Sequence, residues 1–279
     1  MDMNRGRMID FKQVTMGCGG SKPDAHSDPA RPTNPAQHGR QAAIAAPTGG
    51  PAMVPPPYRD ARGRPIQHQS YELDRDQLIQ ALNHVGQYLD QHDVTANIVT
   101  VGGAVNTIYL QSRRSTHDVD FFLADPSSPQ HQIIHEAARS AAQSSQAPLG
   151  AEWLNNATQL LMGRDVQANL ARAAFQQNTI VHQYQGQRGG VVVYAAPWSY
   201  AFCGKLNRLC EANPRPYDIQ DAVVYLHEYL ATTGRQTVCA SEAHQWGREY
   251  RKKVTDDALN QVDTLYYQTY DHHAIDMQS

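Results

Sequence analysis

Ten of the sixteen prolines in this 279-residue chain fall within the first 70 residues, and that crowding decides where folding can begin. The same segment carries Gly, Ala, Gln and Arg in place of any periodic apolar pattern, as in "PAMVPPPYRDARGRP". Proline fixes φ and has no N–H to donate, and so few apolar side chains cannot offset the entropy of ordering the chain. Residues 1 to about 70 are therefore expected to form a disordered tail, extended or polyproline-like around Pro55 to Pro57. The apolar fraction of 41% must then be spent by the remainder, which has room for one good-sized core or two. A net charge of -3 announces no nucleic-acid partner in bulk, so any anion site must be local.

Within the tail, Met16-Gly17-Cys18-Gly19-Gly20-Ser21 fits the N-myristoylation pattern M-G-x-x-x-[ST], with a cysteine adjacent. If translation starts at Met16, myristate on Gly17 and palmitate on Cys18 are expected, and two acyl chains make a durable peripheral membrane anchor. If it starts at Met1, the glycine is internal and the match is a glycine-rich coincidence. The other cysteines, Cys203, Cys210 and Cys239, form no CxxC pair with each other or with Cys18. Their spacing supports neither a structural zinc site nor a disulfide framework, and it suits a reducing, cytoplasmic setting. Neither a membrane-length apolar run nor a signal-peptide h-region is present.

From Tyr71 onward the pattern becomes globular. Asp74 is placed to cap a helix whose Leu78, Ile79, Leu82, Val85 and Leu89 fall at helical spacing. "NIVTVGG" predicts a short buried strand ending in glycines, "AVNTIYLQS" a helix through Val105, Ile108 and Tyr109, and "HDVDFFLAD" a second strand. "SPQHQIIHEAARSAAQ" and "DVQANLARAAFQQN" predict helices, the first with Ser128 as cap and Pro129 leading. "TIVHQYQ" and "GVVVYAAP" predict two strands joined by a glycine-containing turn. After Pro197 the chain is expected to be helical, ending in one long polar helix from about Ser241. The expectation is an α+β fold with a small mixed sheet, organised as a tail (1–70), an α/β domain (71–197) and a helical region (198–279).

The chemistry gathers in "GGAVNTIYLQSRRSTHDVDFFL". Gly102 and Gly103 follow a strand and precede a helix, so backbone N–H groups can approach a polyphosphate while the helix N-terminus adds a favourable dipole. Fifteen residues after Gly103 come Asp118 and, two further on, Asp120. Residues i and i+2 of a strand share a face, so both carboxylates converge while Val119 turns to the core. Paired carboxylates repel unless a cation lies between them, and hard oxygen ligands of this kind suit Mg²⁺ completed by water and substrate phosphates.

On these residues the chain resembles the nucleotidyltransferase superfamily, whose signature is a Gly-Gly or Gly-Ser turn, a helix, and DxD on the next strand. Downstream, "GKLNRLCEANPRPYDIQDAVVYL" is similar to the Lys…Arg…Arg-x-x-Asp-x-x-Asp pattern of AbiEii-like members, so the resemblance spans roughly residues 95 to 232. It implies a Mg²⁺-dependent transfer of a nucleotidyl group from an NTP to an acceptor hydroxyl of RNA, protein or a small molecule. It further implies that Gly102 and Gly103 hold phosphates, that Asp118 and Asp120 hold metal, and that Lys205 contacts the nucleotide phosphates. Thr116 matches the polar position before DxD, and Arg208 and Arg215 are candidate phosphate contacts. Asp221 or Asp218 would supply the further carboxylate, because "GVVVYAAP", where many members carry a third acid, has none. A member lacking that acid would bind nucleotide, or serve as a scaffold, without turning it over.

Plainer roles exist for the same residues. The glycines suit any tight strand-to-helix turn, and Lys205 suits the exposed side of an amphipathic helix. Asp218 is placed to cap a helix beginning at Ile219, with Asp221 in its first turn. Trp153-Leu154-Asn155-Asn156 are candidates to line the nucleotide site from a loop, although a Trp-Leu pair more often reads as core. His131 and His135, four apart on a helix, lack a third metal ligand and read as exposed. His117-Asp118 opens a strand, unlike the helical His-Asp pair of metal phosphohydrolases.

Overall fold

The computed structural model describes residues 62, 64 and 69–278. Gly17, Cys18 and almost all of the proline-rich segment lie outside the described residues. The chain runs β1 (Leu73–Asp74), α1 (Arg75–Gln91), β2 (Thr95–Val101), a π-helical turn (Val105–Tyr109), β3 (Ser115–Thr116), β4 (Val119–Phe122) and α2 (Gln130–Ser144). There follow β5 (Leu154–Asn155), a 3-10 turn (Ala157–Leu161), α3 (Arg164–Gln177), β6 (Ile180–Gln185) and β7 (Gly190–Ala195). The last part holds α4 (Trp198–Leu209), α5 (Asp218–Thr233), β8 (Val238–Cys239), α6 (Ala240–Glu249), α7 (Asp256–Tyr270) and β9 (Ile275–Asp276). This is the α+β class expected from the sequence.

Asp74 starts α1 through a full capping box: its carboxylate accepts from the Gln77 N–H at 2.9 Å, and Gln77 Oε1 accepts from the Asp74 N–H at 2.8 Å. The main sheet has the order β5-β4-β2-β7-β6 and is mixed, with β2 antiparallel to β4 and parallel to β7. Both faces are covered, which is why its strands read as apolar runs. Ile98, Phe121 and Val193 belong to the core that includes residues of α1 and α2, whereas Val99 and Phe122 pack with Leu170, Ala171 and Ala174 of α3. In β4 the alternation puts Val119 and Phe121 on the first face, leaving Asp120 with Phe122 on the second.

The helices after Pro197 extend the same core. Trp198, Phe202 and Leu206 of α4, Ala222 to Leu226 of α5 and Leu259 and Tyr266 of α7 are buried, and most join the cluster of Leu78, Leu82 and Val193. The one long polar helix expected from Ser241 is instead α6 and α7, separated by residues 250–255. Arg251 takes a left-handed φ of 54°, and Thr255 caps α7 by accepting from the Ala258 N–H at 3.3 Å. Val254 and the Lys252 carbonyl fold back so closely on Gly247 that a Cβ there would meet them at 2.8 and 3.0 Å. Strands β8 and β9, parallel partners unforeseen in the sequence, are held by Asp263, whose Oδ1 accepts from the Ala274 and Ile275 N–H groups at 2.8 and 2.9 Å. His131 is fully buried rather than exposed, with Nδ1 at 3.2 Å from Asn156 Nδ2.

Because one core serves both halves, a fragment ending at residue 197 exposes the apolar faces that α4, α5 and α7 cover. It is expected to lose the cooperative thermal transition of the full chain, followed by circular dichroism. A sharp melt from that fragment would show that the α/β half closes its own core.

Candidate functional site

The segment from Gly102 to Asp120 turns from β2 back into β4, and local geometry accounts for each special residue. Gly102 has φ 71°, a conformation in which a side chain is strained. Its carbonyl accepts from the Asn106 N–H at 3.3 Å and from the Tyr225 hydroxyl at 3.2 Å. Gly103 is needed for a different reason: a Cβ there would lie 2.1 Å from Thr116 Oγ1. Thus the Gly-Gly pair makes the turn and lets Thr116 close over it. The helix expected after the glycines forms, but as a π-helical turn that buries Asn106 and Thr107 and leaves Tyr109 43% exposed. Single π-type turns recur at functional sites because they re-aim side chains out of the helical register.

Asp118 immediately precedes β4 and Asp120 lies within it, opposite Val101 on one side and Asn155 on the other. Both carboxylates line a cleft of about 510 Å³, while Val119 is fully buried. Thr100 Oγ1 donates to the Asp120 carbonyl at 2.8 Å, and Asn155 Nδ2 donates to Asp118 Oδ2 at 3.4 Å. Neither aspartate forms an ion pair among the described residues. Burial raises the Asp118 pKa; burial and the adjacent Asp118 charge push Asp120 up to about 7. Asn155 therefore belongs to the site, whereas Trp153 is core, donating its indole N–H to the Ala138 carbonyl at 3.1 Å.

The same cleft gathers Gly102, Gly103, Thr116, Lys205, Arg208, Arg215 and Asp218. Arg208 and Arg215 come from α4 and the α4–α5 connection, and Lys252 from residues 250–255. Lys252 carried no signal in the polar run "GREYRKKV". Tyr200 and Tyr217 supply aromatic wall.

Lys205 and the two downstream aspartates are arranged otherwise than the resemblance implies. Lys205 Nζ lies 2.8 Å from Asp218 Oδ1 and 2.7 Å from Asp221 Oδ2, and its side chain is only 13% exposed. Asp221 also accepts from Arg113, through Oδ1 at 3.0 Å and through Oδ2, and from Asn106 Nδ2 at 2.8 Å. Asn106 Oδ1 in turn accepts from the Tyr225 hydroxyl. Asp221 is thus the buried hub of an ion-pair network, and it does not line the cleft. Asp218 does line it, but its carboxylate is taken by Lys205 and by the Arg215 N–H at 3.0 Å. That bond runs back to a residue before α5, so Asp218 does not cap the helix as its position suggested. Among the described residues, no three His, Cys, Asp or Glu side chains gather to hold one ion. The donor set is the pair Asp118 and Asp120, which fits an ion such as Mg²⁺ that takes one or two carboxylates and keeps its remaining positions for water and phosphate. No helix of the described residues is long and apolar enough to cross a membrane.

Comparison with family models, with curated proteins and with solved structures finds no match to this chain.

Two predictions follow from the charges. Between its usual 3.8 and about 7, Asp120 is protonated in the folded state and ionised in the unfolded one. The folded state then binds the extra proton, so its contribution to stability is full below about pH 4 and is lost as pH rises through about 7. Denaturant titrations of metal-free protein should show stability falling across that window, with Asp120→Asn flattening the fall. Asp221→Ala strands Arg113 without its carboxylate and leaves Lys205 with Asp218 alone, and it is expected to cost about 3 kcal/mol in the same titration.

Proposed function

We propose that this chain is a nucleotidyltransferase-like protein, using Mg²⁺ at Asp118 and Asp120 to pass a nucleotidyl group from an NTP to an acceptor hydroxyl. One observation carries this: two carboxylates without an ion-pair partner line the same cleft as Arg208, Arg215 and Lys252. A cleft that holds both charges apart calls for a ligand carrying both, and a metal-bound triphosphate is such a ligand. Bound there, Mg²⁺ would neutralise the paired carboxylates and stabilise the charge on the departing pyrophosphate. The chain's own part is orientation. The Gly102-Gly103 turn offers backbone without side chains beside the aspartates, Asn155 steadies Asp118, and Thr116 fixes the turn against β4. The basic wall would hold phosphate oxygens while the acceptor oxygen loses its proton to solvent and bonds to the α-phosphorus, and the bond from that phosphorus to the α–β bridging oxygen breaks to release pyrophosphate.

A second reading, nucleotide binding without turnover, is favoured by a specific observation. The candidate third acid, Asp221, is committed to Arg113 and Lys205, and Asp218 to Lys205 and the Arg215 N–H. Incubation with α-phosphate-labelled NTPs, Mg²⁺ and cell extract separates the two. Transfer of label to an acceptor, lost in Asp118→Ala/Asp120→Ala, is the expected result. Equal silence from the wild type and a folded double mutant, with NTP still bound by the wild type, would leave the binding module as the function.

A further inference from the structure

The resemblance assigns the phosphate-binding lysine to Lys205, yet the Lys205 charge is already balanced by two carboxylates at 2.8 and 2.7 Å. Another lysine enters the same cleft. Lys252 lines it from residues 250–255, with Nζ 5.7 Å from the centre of the Tyr200 ring. Among the described residues its ammonium closes no salt bridge, and the Glu211 carboxylate acts on it only as the weakest of the neighbouring influences.

Its position is built rather than incidental. Gly247 lets the chain turn back at the end of α6, with the Lys252 N–H donating to the Gly247 carbonyl at 2.8 Å. Three contacts then bind this turn to α4: Tyr250 and Ser199 hydroxyls at 2.9 Å, the Tyr200–Tyr250 edge-to-face pair at 5.4 Å, and the Lys253 N–H donating to Asn207 Oδ1 at 2.8 Å. The clamp holds Lys252 in the lining of the cleft that Arg208 also lines, within reach of its charge. Burial and the nearby Arg208 charge both hold the Lys252 ammonium below its usual range. Arg208 is half exposed, and its pair with the equally exposed Glu211 at 3.2 Å does little to neutralise it. Two cations forced together at the edge of a low-dielectric cleft are costly unless an anion sits with them.

We infer that Lys252 and Arg208 together form the oxyanion-binding wall of the cleft, receiving the polyphosphate of the nucleotide, while Lys205 is a positioning residue that holds α5 against α4. The inference rests on the nucleotide reading of the cleft and replaces the lysine that the resemblance would select.

The test is calorimetric titration of the full chain with tripolyphosphate in EDTA at low ionic strength, which removes the metal from the measurement. Wild type should bind. Lys252→Ala and Arg208→Ala should each weaken binding at least about tenfold, with unchanged melting temperature and a shallower dependence on salt. Lys252→Arg, which keeps the charge, should restore affinity to within about threefold of wild type. No binding by wild type, or full affinity in either alanine variant, would overturn the shared oxyanion wall. Mn²⁺ binding to wild type and to Asp118→Ala/Asp120→Ala, followed by electron paramagnetic resonance, runs alongside. Metal bound at the aspartates without tripolyphosphate at the wall sinks this inference and leaves the carboxylate site standing; the opposite pattern sinks the metal-dependent reading alone.

Discussion

The arrangement of this protein depends on one buried carboxylate. Asp221 is 2% exposed and takes hydrogen bonds or ion pairs from Arg113, Lys205 and Asn106. Those partners belong to the chain after the π-helical turn, to α4, and to the π-helical turn itself. A buried charge tolerates no vacancy among its partners, so satisfying Asp221 fixes three segments relative to α5 at once. Tyr225, one turn further along α5, extends the constraint by donating to Asn106 and to the Gly102 carbonyl. The glycine turn, and with it the floor of the cleft, is therefore held from behind by the helical half.

In front of that network the polar groups are distributed differently. Behind the turn Asp221 is paired with Arg113 and Lys205, whereas among the described residues Asp118, Asp120 and Lys252 close no ion pair and feel Arg215, Arg208 and Glu211 only as neighbouring charges. Burial first, and the neighbouring Asp118 charge second, push the Asp120 pKa up to about 7. Nothing in the packing of β4 demands an aspartate at either position, since Val119, Phe121 and Phe122 supply its apolar contacts on the two faces. Paired carboxylates without a salt bridge in a cleft, beside the closed ion pairs of Asp221, mark where a ligand would contribute what the chain withholds.

Elements governed by local rules were legible in advance. The Asp74 cap, the apolar runs of β2 and β4, the turn between β6 and β7 and the Gly102-Gly103 reversal all express preferences of a few neighbouring residues. The pairing of Asp118 with Asp120 followed from strand periodicity alone. Where the reading failed, a contact distant in sequence had decided the outcome. Asn106 carries no signal in "AVNTIYLQS", yet a π-helical turn aims it inward to Asp221, 115 residues away. The helix expected from Ser241 breaks because Val254 packs on Gly247 and Thr255 caps a new start, and Thr255-Asp256-Asp257 had held that capping signal. His131 was taken for a surface residue because its partner, Asn156, comes from beyond α2.

By itself the sequence determined the helices up to α5 and the strands β2, β4, β6 and β7, where the backbone must turn through glycine, and that two carboxylates share one strand face. Each follows from dihedral preference and periodicity, which operate over a few residues. The tertiary structure alone decided which charges are spent on one another and which remain for a ligand. Lys205 and Lys252 are chemically identical in the sequence. One is quenched between Asp218 and Asp221, and the other is carried into the cleft by a turn clamped to α4. Coulomb interactions and desolvation depend on distance through space, and only the folded chain sets those distances.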